Sequence, residues 1–156
     1  MSGDLSAILD RGCVFLDLTA RKRRQAIEEL AERAAACAGI PDAKSLGREL
    51  WKREKLSTTA VGHGVAIPHR LTNLVDETVM IVARADHGVP FEAVDNEPVR
   101  LLVVLLGPEG AHGRHLKLLS RLARLLSSSE FREELLQAPS PEAVLEAFRR
   151  REEVAG

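Results

Sequence analysis

The chain has 156 residues, with 22 Lys and Arg against 23 Asp and Glu for a formal charge of −1. That length suits one domain, residues 1–156, with a core able to stand without metal or disulfide staples. The charge balance argues against a strongly basic nucleic-acid binder, and aromatics at 3% with no Tyr leave few stacking platforms for bases or sugars.

A short helix from Leu5 to Leu9 and a short strand from Cys13 to Leu16 open the chain. Met1 to Leu9 lacks the basic start and apolar core of a secretory signal. Asp17 or Thr19 is placed to cap a long helix ending at Ala38, with Ala26, Ile27, Leu30, Ala31 and Ala34 on one face and Gly39 as its stop. Asp42 caps the next helix, which carries Leu46, Leu50 and Trp51 and reaches Arg53 in its last turn. Trp51 has few aromatic partners, so packing is its expected role.

Val65 to Ile67 is a three-residue apolar run that reads as a buried strand stopped by Pro68. Val79 to Ala83 and Arg100 to Leu106 are continuous apolar runs suited to strands buried on both faces. The second is far too short to cross a bilayer. Between them, 86–90 and 95–98 are turn clusters around a short Phe91 segment. The rest reads as helix over 113–127, 129–137 and onward from Ser140, with Pro141 at the first helical position. Strands interleaved with amphipathic helices predict an α/β sandwich with a buried sheet.

Cys13 and Cys37 lie too far apart for a metal knuckle and are too few for a disulfide framework. Their natural setting is a reducing cytosol, and a cytoplasmic protein is expected.

His69 is the first candidate for chemistry. Gly62 and Gly64 open backbone conformations closed to other residues and leave room for a ligand near the main chain. The ring of His69 is then expected at the rim of a sheet, on a glycine-bracketed loop. A Pro-His pair after a strand is more often a plain turn, and this segment alone does not separate the two. His115 lies one turn before Leu118 and Leu119 on an apolar helix face and so points inward, either as a satisfied core histidine or as a partner for an anion at the positive end of the helix. His63, His87 and His112 fall in glycine-flanked turns or loops. A zinc site built from His63, His69, His112 and His115 lacks a recognised ligand spacing, so no metal is expected.

The order of these segments resembles the mannitol/fructose-type enzyme IIA domain of the phosphoenolpyruvate-dependent sugar phosphotransferase system, most of all its stand-alone nitrogen-regulatory branch. The matching stretches are Arg53-Glu54-Lys55-Leu56 with Thr58-Thr59, Gly64-Val65-Ala66-Ile67-Pro68-His69, Phe91 to Val99, and His115-Leu116 opening a Leu-rich helix. The resemblance covers nearly the whole chain and implies a central mixed sheet flanked by helices on both sides.

It further implies that His69 is a phosphorylated nucleophile, that His115 and Arg53 stabilise its phosphoryl group, and that Thr59 contributes a hydroxyl. Family relatives commonly place a small residue after Pro-His. Here Arg70 follows directly, either as a further cation for the phosphoryl group or as a surface residue displaced by one position. No cofactor is expected.

The implied donor is a histidine-containing phosphocarrier protein. The implied acceptors are regulatory protein targets or a separate IIB protein, with neither nucleic acid nor membrane insertion involved. The sequence holds no permease segment or second phosphotransfer domain, which favours the regulatory branch. The alternatives are a sugar-specific IIA component and a binding module without phosphotransfer.

Overall fold

The computed structural model describes residues 5–155; Met1 to Asp4 and Gly156, parts of the signal-peptide and 1–156 domain readings, lie outside them. In chain order the elements are α1 Leu5–Ile8, β1 Val14–Phe15, α2 Arg23–Ala38, α3 Ala43–Leu56, β2 Ala60–Gly62, β3 Val65–Ala66, β4 His69–Thr72, β5 Val79–Val89, β6 Val99–Pro108, α4 His112–Leu126, α5 Ser129–Gln137 and α6 Pro141–Ala155. A 3-10 turn at Arg11–Cys13 leads into β1.

β6 organises the sheet because every residue from Leu101 to Leu106 is buried, and only a central strand can cover both faces of such a run. It pairs antiparallel with β5 and parallel with β3 and β4, and the order β1-β5-β6-β3-β2, with β4 joined to β6 off that path, makes a mixed six-stranded sheet. Alternation divides the core in two. Ala66, Ile81, Ala83, Leu102, Val104 and Leu106 pack with α2 and α3. Val65, Ile67, Met80, Val82, Leu101, Val103 and Leu105 pack with α1, α4, α5 and α6. The result is an α/β sandwich with helices on both faces. Each fully buried Val or Leu of β6 adds roughly 1.5–3 kcal/mol of transfer free energy.

Helix punctuation follows the sequence closely at most ends. The Asp42 carboxylate accepts from the Ser45 amide at 3.0 Å, the Ser140 hydroxyl accepts from the Ala143 amide at 3.2 Å, and Gly39 closes α2 at φ +70°. The start of α2 differs from the expected cap. Glu29 reaches back to accept the amides of Thr19 and Ala20, and Asp17 is held by Arg33 at 2.7 Å, so residues 17–22 form a loop tied to the helix flank. The helix begins at Arg23 without a side-chain cap.

The 86–90 turn is also corrected. β5 runs on to Val89 with a register shift between Arg84 and Val89. Gly88 sits at φ +78°, where a Cβ would come within 2.8 Å of the Pro98 ring, so the break signal marks an irregular strand rather than its end.

Cys13 and Cys37, read from the sequence as too few for a disulfide framework, are joined as a disulfide. α2 returns its C-terminal end beside the 3-10 turn and brings the two Cα atoms within 5.5 Å, a proximity that a separation of 24 residues does not announce. Closing such a loop stabilises the folded state by about 3 kcal/mol through the unfolded chain. Thermal unfolding of the oxidised protein is therefore expected roughly 10 °C above that of the reduced protein. Coincident melting curves with and without reductant would dismiss the bond as a stabilising element. Among the described residues, no helix is long and apolar enough to cross a membrane.

Candidate functional site

Register decides which way His69 points. His69 pairs with Leu105 and Arg70 with Leu106 in the parallel β4–β6 ladder. Leu105 belongs to the α4 side of the core and Leu106 to the α2–α3 side. Paired residues share a face, so His69 turns toward α4 while Arg70 turns toward α3. The Arg70 guanidinium meets Glu49 there, Nε to Oε1 3.5 Å. Its charge is engaged on the opposite face from the imidazole, which answers the question that its position after His69 raised.

His69 is not on a loop, as the glycine-bracketed motif led us to expect. Pro68 lacks an amide, yet its carbonyl accepts from the Leu105 amide at 3.0 Å, and the chain resumes ladder pairing one residue later. The glycines also serve another purpose than ligand access. Gly62 and Gly64 lie at φ +89° and +76°, and a Cβ on either would come within 3.3 Å of Asp95 Oδ2 or the Pro98 carbonyl. The 95–98 loop fills that space, and Asp95 accepts the His63 amide at 2.9 Å. The exposed His63 is thus part of a backbone clasp.

His115 approaches from α4. It is the fourth residue of that helix, on the buried stripe with Leu118, Leu122 and Leu125, and is 6% exposed. Its ring centroid lies 6.2 Å from that of His69. Gly107, directly downstream of the β6 segment facing His69, makes room for it: a Cβ there would sit 2.9 Å from His115 Nδ1. Neither ring nitrogen of His115 has a hydrogen-bond partner among the described residues. A buried polar ring left in that condition costs on the order of 1–3 kcal/mol unless another state of the site satisfies it.

The ring of His69 is fixed differently. Its Nδ1 lies 2.6 Å from the Ile67 carbonyl. A carbonyl can only accept, so Nδ1 carries the proton and Nε2 presents a lone pair. Burial depresses the pKa of His69, and the positive charge of Arg53 pushes it the same way, against the opposing influence of the Ile67 carbonyl and Glu54. His115 is also depressed, first by burial and then by His69 and His112. His112 is the first residue of α4 rather than part of the preceding loop.

A pH dependence follows from the two depressed histidines. As pH falls through the ordinary histidine value of 6.5, the unfolded chain takes up these protons before the folded one does. Stability is complete above that value and declines below it, down through the folded values. Denaturant midpoints measured from pH 8 to 5 should therefore fall below pH 6.5, and less steeply in a His69→Gln/His115→Gln variant. NMR titration of either ring at or above its ordinary value would reverse this sign.

The remaining predicted residues divide. Arg53 stands in the last turn of α3, where its Nη1 donates to the Ser57 carbonyl at 2.8 Å. Thr59 is buried, and its hydroxyl donates to Glu54 Oε1 at 2.6 Å while its amide donates to Oε2 at 2.9 Å. Its hydroxyl proton is thus committed to Glu54. Thr58 donates to the Phe91 carbonyl at 2.9 Å. Glu54 was not singled out by the sequence, because a Glu amid Lys52, Arg53 and Lys55 reads as a solvated helix residue; its 1% exposure depends on how α3 packs.

A groove of about 910 Å³ runs between α2 and α3 over Trp51, whose ring faces the Arg23 and Arg24 guanidinia at 5.1 and 5.5 Å. It shares no residue with the His69 site. Among the described residues no three His, Cys, Asp or Glu side chains gather as a metal site requires.

Comparison with known proteins bears on this arrangement. The profile of the phosphoenolpyruvate-dependent sugar phosphotransferase system EIIA 2 family matches residues 7–151. The chain belongs to that family. It is 40% identical over 81% of its length, and 82% of the relative's, to a nitrogen regulatory protein of Bradyrhizobium diazoefficiens. It is 34% identical to a fructose-specific EIIA component of Haloferax volcanii, covering 90% of this chain and 92% of that one. Its fold matches the crystal structure of the nitrogen regulatory protein IIA-Ntr from Neisseria meningitidis with a TM-score of 0.86 at 32% identity, over 92% of this chain and 98% of that one. EIIA family proteins are phosphoryl-transfer components.

Proposed function

We propose that this EIIA protein is a phosphohistidine carrier of the phosphotransferase system. In this reading His69 Nε2 accepts a phosphoryl group from a histidine-containing phosphocarrier protein, and the phosphorylation state governs binding to other cytoplasmic proteins. The observation that carries it is the pairing of an imidazole whose Nε2 is free with a second, buried imidazole whose two nitrogens lack partners, 6.2 Å away.

The step is simple in its balance. The Nε2 lone pair of His69 forms the new N–P bond as the N–P bond of the donor imidazole breaks. His69 keeps its Nδ1 proton on the Ile67 carbonyl, the departing donor ring keeps the proton on its other nitrogen, and no proton has to move. A neutral His115 then donates one N–H to a phosphoryl oxygen. Arg53 adds positive charge at the rim, and catalysis rests on position and electrostatics.

The regulatory role is supported by 40% identity to a nitrogen regulatory protein over most of both chains. The likeness to a fructose-specific EIIA component at 34% identity supports the sugar-uptake reading as the second one. Phosphorylation adds nearly two negative charges at the half-buried mouth of the site. A partner fitted to the neutral imidazole would then bind the phosphorylated form at least roughly tenfold more weakly, about 1.4 kcal/mol.

The test is phosphorylation by the general phosphotransferase enzymes with labelled phosphoenolpyruvate, followed by pull-downs with both forms, the Cys13–Cys37 pair being assayed oxidised and reduced because a cytosol is reducing. Partners that discriminate between the forms would support regulation. Rapid passage of label to a sugar-specific IIB protein, with no discriminating partner, would favour sugar uptake. A protein that takes no label but still binds partners would be a module without phosphotransfer.

A further inference from the structure

Glu54 is a buried carboxylate that the phosphoryl-transfer chemistry above does not use. It is 1% exposed, and among the described residues no cation lies within ion-pair distance of it. Burying a carboxylate without a cation is unfavourable by several kcal/mol unless fixed donors replace its water. Here the donors both come from one residue: the Thr59 amide to Oε2 and the Thr59 hydroxyl to Oε1.

The chain of contacts continues from that residue. The Thr59 carbonyl accepts the Ile67 amide at 3.0 Å, and the Ile67 carbonyl accepts the Nδ1 proton of His69 at 2.6 Å. Glu54 therefore lies three hydrogen-bond steps from the reactive ring, through Thr59 and Ile67. Ile67 sits in the gap between β3, which ends at Ala66, and β4, which begins at His69, so the sheet ladder does not hold it directly. The anchor must come from the other side, where Thr59 precedes the edge strand β2.

We propose that Glu54 is a positioning residue: by clamping Thr59 it holds the Ile67 carbonyl against Nδ1 of His69 and so keeps Nε2 as the free nitrogen. The kinetic part of this inference rests on the phosphocarrier reading above; the tautomer part does not. A purely structural Glu54 would stabilise α3 against β2 and leave the ring's proton where it is. A positioning Glu54 selects between the two neutral forms of the imidazole, which differ little in energy when nothing holds them.

The test uses the full chain with its histidines labelled with ¹⁵N, at a pH where both rings are neutral. Long-range proton–nitrogen correlation reads the proton on Nδ1 or Nε2 directly. In the wild type His69 is expected in the Nδ1–H form. In Glu54→Ala the His69 signals should move toward an average of the two forms while those of His87 stay in place, and phosphoryl uptake should slow by roughly tenfold to a hundredfold.

Glu54→Gln is the conservative control. Its amide oxygen accepts the Thr59 amide and its NH₂ donates to the Thr59 hydroxyl, which then acts as acceptor. Position is restored without charge, so the tautomer and most of the rate should return. If Glu54→Ala does not fold, Thr59→Val removes one of the two clamping bonds and should give the same change in smaller measure. A folded Glu54→Ala or Thr59→Val with His69 still fully in the Nδ1–H form would overturn the proposal, whatever its rate. A tautomer change in a protein that no donor phosphorylates, even as wild type, would uphold the positioning role and remove the phosphocarrier reading instead.

Discussion

His69→Ala is expected to incorporate no acid-labile, base-stable phosphate, where the wild type approaches one phosphate per chain. The loss is expected to be complete because, among the described residues, His69 alone joins an accessible free ring nitrogen to a second imidazole beside it. The His87 ring is bonded to the Ala20 carbonyl at 2.8 Å, and His115 is 6% exposed behind His69. The fold should survive, since His69 is only partly buried and its one hydrogen bond is local. An unchanged unfolding midpoint within about 1 kcal/mol would accompany the loss. Undiminished labelling of the variant would move the nucleophile elsewhere and end the assignment.

The second large effect is expected at His115. Removing its ring deletes a donor aimed at the place where phosphoryl charge arrives, and comparable losses lower rates by about a hundredfold to a thousandfold. Its absence also opens a cavity beside Gly107, worth on the order of 1–3 kcal/mol of stability. Kinetics and folding must therefore be read separately. Phosphoryl transfer in both directions, together with the half-life of the phosphorylated form, should fall far more than stability predicts.

Gly107→Ala approaches the same contact from the sheet. Its methyl would stand 2.9 Å from His115 Nδ1 and 3.2 Å from Leu71 Cδ2, so the ring must move while remaining present. Slow transfer in Gly107→Ala, with His115 intact, would locate the effect in ring position. Wild-type kinetics in a folded His115→Ala variant would return His115 to the role of a core histidine.

Most of the fold was legible because its signals are local. The apolar run of β6, the stripe Ala26-Ile27-Leu30-Ala31-Ala34, the Asp42 cap and the Gly39 stop each depend on neighbours within a turn or two of chain. Where such signals failed, a distant contact had overruled them. Glu29 took the amides of Thr19 and Ala20, and Pro98 packed on Gly88 within a strand that the composition ended early.

His69 and His115 stood out for chemistry only through the resemblance to the EIIA family, whereas the sequence by itself determined the α/β class and the interleaving of strands with amphipathic helices. Period and punctuation carry that information along the chain. Tertiary structure alone decided that the two rings meet on one face, that Arg70 turns away to Glu49, that Cys13 joins Cys37, and that Glu54 is buried beneath Thr59. These are matters of strand register and of which helix covers which face. A one-residue shift of β4 against β6 would exchange the facings of His69 and Arg70 without altering a single amino acid.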